Sequence, residues 1–100
     1  MNAITSPKGN PPFALGQTVS TPGALDALTA AGVPARDLLD RHCTGDWGDL
    51  CDDDKQENDL SVQQGFRILS AYSLPRTGVK VWIITEADRS VTTILLPDEY

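Results

Sequence analysis

The last third of the chain alternates apolar and polar side chains with a period of two. Three runs carry this pattern, at residues 66–74, 79–85 and 91–96, and turn-forming residues separate them at 75–78 and 87–90. Strands joined by tight turns run in opposite directions, so such runs are typical of neighbouring antiparallel strands. The sequence therefore predicts a three-stranded antiparallel meander at the C-terminal end.

The first half of the chain has helical signals instead. The Thr21 hydroxyl can accept from amides of a first turn, and Pro22 suits the first helical position because no amide donor is needed there. Gly32 is typical of the residue that follows a helix. Together they predict a helix over residues 22–31.

Two more helices are expected before the meander. After Pro34, apolar residues recur at helical spacing until Gly45 ends the element: Ala35, Leu38, Leu39, His42 and Cys43. Residues 52–64 predict a third helix, whose three leading aspartates favour the positive end of the helix dipole. Gly65 is expected to close it.

These elements predict an α+β domain. A short strand within residues 13–20 and two to three helices would pack on the C-terminal three-stranded meander, with the helices covering one face of the sheet. Residues 1–12 are polar and rich in proline and glycine, which is typical of a flexible tail. We expect residues 13–100 to form a single domain.

The sequence predicts a cytoplasmic protein with no membrane association. It has no run of the ~18 apolar residues that a bilayer span requires, and residues 1–12 lack the apolar segment of a signal peptide. Cys43 and Cys51 are too few for a disulfide framework, so buried thiols are expected.

The charge surplus lies in one short segment. The chain has 8 Lys and Arg against 14 Asp and Glu, a net charge of −6. Residues 46–59 hold one base, Lys55, and seven of the acids: Asp46, Asp49, Asp52, Asp53, Asp54, Glu57 and Asp59. The remaining residues hold seven acidic and seven basic side chains, so their charges sum to zero. This distribution excludes nucleic-acid binding through bulk charge and is suited to a protein partner with a basic surface.

The large aromatic residues have different expected positions. Phe66 and Tyr72 share one face of the first alternating run and are expected in the core, whereas Trp82 lies on the less buried face. Trp47 occupies a glycine-flanked acidic loop, where it could anchor a partner or fold down onto the sheet. The candidate partner-binding residues are Asp46, Trp47, Asp49, Asp52, Asp53, Asp54 and Glu57.

An alternative interpretation is a small enzyme or ligand-binding domain. His42 changes protonation near neutral pH, and Asp46 could orient it as an acid–base pair. Glu86 and Arg89, at the second turn of the meander, could close the same cleft together with Arg67. No serine or cysteine lies in a nucleophile elbow, so no nucleophile is assigned.

Three local motifs lack the context that their chemistry requires. Residues 10–13 spell NPPF, similar to the catalytic motif of adenine-N6 DNA methyltransferases, but no glycine-rich nucleotide-binding turn follows a strand. His42, Cys43 and Cys51 do not have zinc-site spacing. Residues 52–57 carry Glu57 where a calcium loop needs glycine. No metal and no cofactor are predicted.

Three segments carry a resemblance to a known group: residues 45–50 (GDWGDL), 67–72 (RILSAY) and 82–97 (WIITEADRSVTTILLP). They resemble a group of short uncharacterised bacterial proteins of plasmids and mobile DNA, catalogued as plasmid-related proteins or as type I restriction endonuclease subunit M. The resemblance covers residues 13–100 and implies a mobile-DNA neighbourhood, not an activity.

Size, acidity and this resemblance together predict a small acidic accessory protein that binds another protein. Its expected setting is defence or counter-defence of mobile DNA, as an anti-restriction or anti-CRISPR type inhibitor. An exposed edge strand would also allow a homodimer.

Overall fold

The structure is a computed structural model and describes residues 12–100. Over this range the chain forms, in order, β1 (Gln17–Ser20), α1 (Pro22–Ala31), α2 (Ala35–Cys43), α3 (Asp52–Gln64), β2 (Ile68–Ser73), β3 (Lys80–Thr85), β4 (Val91–Leu95) and a final 3-10 turn (Pro97–Glu99). The predicted α+β class is confirmed. The expected tail falls outside the described residues except for Pro12.

The limits of α1 and the C-terminal end of α3 lie where the local signals place them, whereas α2 ends at Cys43, before the expected Gly45. Thr21 caps α1, because its hydroxyl oxygen accepts from the amide of Ala24 at 3.1 Å. Gly32 follows α1 in the left-handed conformation with φ 70°, and Gly65 follows α3 with φ 78°. Glycine adopts this conformation at little cost, so both helices stop cleanly.

The four strands form one mixed sheet in the order β1-β4-β3-β2. The antiparallel pairs β2–β3 and β3–β4 make the predicted meander. β1 joins the far side of β4 in parallel, with Thr18 beside Thr92 and Ser20 beside Ile94. The expected N-terminal strand therefore exists, although it is shorter than residues 13–20 and forms one edge of the sheet.

The main core lies between one face of the sheet and helices α1 and α2. The helices contribute small and branched apolar side chains, and the strands contribute larger ones: Ala24, Leu28, Ala31, Leu38, Tyr72, Val81, Ile83 and Ile94. A second cluster joins Phe13, Cys43, Trp47 and Ile68. Removing these side chains from water is the main stabilising contribution of the fold.

The expectation that Phe66 belongs to the core is wrong, since its side chain is 55% exposed. β2 begins only at Ile68. The Phe66 amide instead donates to the carbonyl of Ser61 at 3.1 Å, as part of the turn that ends α3. The alternating pattern therefore starts two residues later than the sequence suggests.

Within residues 12–100, no helix has the length and apolar character needed to span a bilayer.

Candidate functional site

The acidic segment runs along the outer edge of β2. Its first part extends the sheet, because Ala71 donates to the carbonyl of Trp47 at 3.3 Å and accepts from the amide of Asp49 at 2.7 Å. Gly48, between these two residues, has φ 76°, and a Cβ atom there would collide with the Ala71 carbonyl oxygen. Only glycine allows the loop to come this close to β2, and this close contact holds the loop against the sheet.

Asn58 on α3 continues the same edge. Its side chain donates to the carbonyl of Leu69 at 2.6 Å and accepts from the amide of Leu69 at 3.3 Å. The carboxamide thus takes the place of a neighbouring strand's peptide group. Asn58 is only 6% exposed, so this pair of bonds positions α3 beside β2.

We call the seven carboxylates of this segment the acidic edge: Asp46, Asp49, Asp52, Asp53, Asp54, Glu57 and Asp59. All seven residues are exposed. Among the described residues, Asp46 is the only one of them in an ion pair, with Arg41 at 2.7 Å. The acidic edge therefore keeps most of its charge available to a partner.

Hydrogen bonds orient two more of these carboxylates. The Ser73 hydroxyl donates to Asp49 at 2.6 Å. The indole Nε1 of Trp47 donates to Asp59 at 3.0 Å. Neither donor is a cation, so these hydrogen bonds orient the two carboxylates without pairing them with a positive charge.

A shallow depression of about 260 Å³ opens between α3 and the preceding loop. Its apolar part is formed by Leu50 and Leu69, and the carboxylates of Asp54 and Glu57 line it with Asn58. A lysine or arginine side chain combines an apolar stem with a charged end. The depression therefore has the chemistry to hold such a side chain from a partner.

Trp47 does not project from the acidic loop as an exposed anchor. Its side chain is 4% exposed. It stacks on Phe13 with ring centroids 6.1 Å apart and meets His42 edge-on at 6.0 Å. Of the two alternatives from sequence, the structure shows the folded-down position, in which Trp47 supports the acidic edge from beneath.

His42 lies in a buried chain of hydrogen bonds. Its Nδ1 is 2.5 Å from the Ser70 hydroxyl, and its Nε2 is 2.9 Å from the Thr85 hydroxyl. The Thr85 hydroxyl is 2.7 Å from that of Thr92, which donates to the carbonyl of Leu15. The direction of the bond from Thr92 to Leu15 sets the direction of the bonds at Thr85 and at Nε2 of His42.

Because the Thr92 proton goes to the carbonyl, Thr92 must accept from Thr85. Thr85 then accepts from Nε2 of His42, so the imidazole carries its proton on Nε2. Nδ1 is left as the acceptor for the hydroxyl of Ser70. The hydrogen bonds therefore fix a proton on Nε2, and the neutral imidazole fits the chain in this one tautomer.

The surroundings of His42 agree with this protonation state. The side chain has no exposed surface. Burial, together with a smaller effect of the positive charge of Arg89, lowers the pKa of His42 to about 3. At neutral pH the residue is a hydrogen-bonding part of the core and has no contact with solvent.

The other proposed catalytic residues serve structural contacts. Arg41 holds Asp46, and Arg67 holds Glu86 at 3.3 Å. The Arg89 guanidinium lies 5.5 Å from the centroid of the Phe13 ring and donates to the backbone carbonyls of Ser61, Phe66, Glu86 and Ala87. The structure does not join these groups and His42 in an open cleft.

Four polar residues with structural roles were not singled out from the sequence: Asn58, Ser70, Thr85 and Thr92. Ser70 lies between Ile68 and Tyr72 on the core-facing phase of its strand, and the two threonines occupy equivalent positions on β3 and β4. The sequence signal for the three hydroxyl residues is their position on the core-facing side of the strands, together with a histidine on the apolar face of α2.

The expectation of buried thiols is confirmed for Cys43 and wrong for Cys51, which is exposed. Across residues 12–100, no group of three or more His, Cys, Asp or Glu side chains is placed to hold a metal ion.

Comparisons with protein-family models, with curated proteins and with solved structures found no match to this chain.

Proposed function

We propose that this chain is a small accessory protein that binds a partner protein with a basic surface through the acidic edge. The observation that carries the proposal is the depression beside α3, where the carboxylates of Asp54 and Glu57 flank the apolar side chains of Leu50 and Leu69. A protein interface commonly combines an apolar centre with a charged rim.

The two parts of this surface have different effects on binding. Burying a lysine or arginine stem against Leu50 and Leu69 removes apolar surface from water. The surrounding carboxylates attract a basic partner over a longer range, which accelerates association and disfavours acidic competitors. Affinity is thus expected to depend on both the depression and the charge.

The proposed setting is defence or counter-defence of mobile DNA, as an anti-restriction or anti-CRISPR type inhibitor. Support comes from the resemblance of residues 13–100 to proteins of plasmids and mobile DNA. A second support is chemical: proteins that bind DNA or RNA carry basic surfaces for the phosphates, and the acidic edge is complementary to such surfaces.

Charge reversal with a matched control tests the binding surface. Asp54→Lys/Glu57→Lys changes one first-turn and one mid-helix acid of α3, and Asp26→Lys/Asp37→Lys makes the same charge change on α1 and α2. We expect affinity capture from host lysate, quantified by mass spectrometry, to recover a partner with the wild type and the control variant. The α3 variant is expected to lose it.

Equal recovery by all three proteins would show that the acidic edge is not the interface. The setting is tested separately by measuring phage plating on hosts with a restriction or CRISPR system. Expression of the wild type is expected to raise plating efficiency, and expression of the α3 variant is not. Unchanged plating with every system would contradict the proposed setting.

A further inference from the structure

The two edge strands of the sheet differ in whether their outward backbone groups are hydrogen-bonded. Along the outer edge of β2, Asn58 pairs with Leu69, and the loop of Trp47 and Asp49 pairs with Ala71. A strand protected in this way offers few free peptide groups to another chain. The opposite edge of the sheet is β1.

On β1, alternate residues face β4. Gln17 donates to the carbonyl of Ser90 at 3.0 Å, and Thr21 donates to the carbonyl of Ile94 at 2.9 Å. Because backbone groups alternate in direction along a strand, Thr18 and Ser20 direct their N–H and C=O groups away from β4. These two residues make the outer edge a template for another strand.

The sequence of β1 has none of the common devices that block edge pairing. Gln17–Ser20 reads QTVS, without charge and without proline, and its four residues are exposed. Val19, at the centre, is 39% exposed. Edge strands are usually protected by lysine, proline or a bulge, so an unprotected edge of this kind favours pairing.

We propose that β1 pairs with β1 of a second copy of this chain, antiparallel and about a twofold axis at Val19. In this register Thr18 lies opposite Ser20 of the partner subunit, and Ser20 lies opposite Thr18 of the partner subunit. The outward N–H and C=O groups then form four hydrogen bonds. Val19 meets Val19 of the partner subunit in a non-hydrogen-bonded pair, with Cα atoms about 4.5 Å apart.

The surface beside β1 accommodates the added strand. A groove of about 180 Å³ lies there, lined by Thr18, Ser20, Ala35, Leu39 and Ile94 among others. Residues that are directly opposite in a sheet point to the same face. The side chains of the partner's Ser20 and the partner's Thr18 would therefore enter the groove side of the sheet, against Ala35 and Leu39.

The position of the charge makes a second copy compatible with the β1 edge. The acidic edge lies beyond β2, at the opposite end of the sheet from β1. With strands about 4.8 Å apart, pairing through β1 places the two acidic edges about 40 Å from each other. Physiological salt screens charges over about 8 Å, so the two acidic edges do not repel each other across this contact.

A cysteine at the twofold axis tests the register. Val19→Cys in a Cys51→Ser background places two thiols across a non-hydrogen-bonded pair, within the span of a disulfide. With oxidised glutathione, we expect a dimer on a non-reducing gel. Leu25→Cys in the same background is the control, because Leu25 is 53% exposed on α1 and lies off the edge. Equal cross-linking of both variants, or of neither, would overturn the proposed register.

Proline at position 18 tests the association itself. The amide of Thr18 points away from β4, so Thr18→Pro removes an outward donor without breaking a bond inside the sheet. Sedimentation equilibrium is expected to give the wild type and Thr18→Val twice the 10.8 kDa of one chain. For Thr18→Pro the dissociation constant is expected to rise by about tenfold or more, with an unchanged circular dichroism spectrum.

A wild-type mass of 10.8 kDa at about millimolar concentration would overturn the dimer, because such a protein has no useful self-affinity. An unaltered dimer of Thr18→Pro would show that association uses another surface. If Thr18→Pro fails to fold, the cross-linking of Val19→Cys still decides between the outcomes.

Discussion

At the scale of single residues, His42 shows how one side chain can organise a core without being a reactive group. Its ring connects α2 to β2 through Ser70 and to β3 through Thr85. Each ring nitrogen of the neutral imidazole has one partner, and complete burial disfavours the protonated form. This arrangement predicts a specific dependence of stability on pH.

His42 is expected to make the protein less stable in mild acid. Its pKa is about 3 when folded and 6.5 when exposed, so between these values the unfolded chain binds a proton that the folded protein does not. The contribution of His42 is complete above about pH 6.5 and falls by about 1.4 kcal/mol per pH unit below it. Urea unfolding at pH 7 and pH 5 should differ by about 2 kcal/mol from this residue alone.

The variant His42→Gln isolates that contribution, because glutamine supplies one acceptor and an amide donor and does not titrate. All carboxylates are common to both proteins, so their effects cancel in the difference. Parallel stability curves for wild type and variant between pH 7 and pH 5 would contradict the interpretation. Nitrogen-15 spectra of the imidazole check the same point, since Nε2 should carry the proton at pH 7.

At the scale of secondary-structure elements, the β2 edge is closed by contacts from two separate parts of the chain. The loop of Gly48 pairs with Ala71, and Asn58 of α3 pairs with Leu69. Both groups of contacts hold the acidic segment in a fixed position. The geometry of the acidic edge is therefore set by backbone pairing as well as by the loop's own conformation.

Gly48→Ala is expected to detach this loop, in contrast to Gly78→Ala. Both glycines have positive φ, at 76° and 72°, so both variants incur about 1 kcal/mol of backbone strain. A Cβ atom at Gly48 would in addition collide with the backbone of Ala71, whereas one at Gly78 meets nothing within 4 Å. We expect Gly48→Ala to lower the free energy of unfolding by about 3 kcal/mol or more.

Thermal unfolding measures the stability of the two variants, and amide exchange measures the protection of the Ala71 amide in each. Gly48→Ala should lose the protection of the Ala71 amide, and Gly78→Ala should retain it. Similar losses of stability in the two variants would show that the close approach of Gly48 to β2 is not a constraint on the fold.

The same elements show how much of the fold can be predicted from the sequence. The limits of α1 depend on Thr21 and Gly32, and the strands depend on local alternation, so neighbouring residues suffice to predict them. The pairing of Asn58 with Leu69 joins residues on different elements, and no local pattern specifies it. The sequence does not determine the position of Trp47 for the same reason, since its burial depends on contacts with Phe13 and His42 that form only in the folded chain.

At the scale of the whole molecule, the sheet separates two surfaces of different character. The acidic edge flanks β2, and the uncharged β1 lies at the opposite edge. In the proposed dimer, the extended sheet would carry one acidic edge at each end. Each copy could then engage its own partner without obstructing the other, because neither acidic edge takes part in the contact between copies.

This separation predicts that the two associations differ in their dependence on salt. Raising the salt concentration from about 0.1 M to about 1 M shortens the screening length from about 10 Å to about 3 Å. Capture of a basic partner by the acidic edge is expected to weaken by about tenfold or more, because attraction between exposed charges is screened. The dimer constant is expected to stay within about twofold, since the acidic edges are about 40 Å apart and β1 is uncharged. Sedimentation equilibrium and quantitative capture in the same buffers measure both constants. A dimer that strengthens greatly with salt would place the acidic edges near each other and contradict pairing through β1.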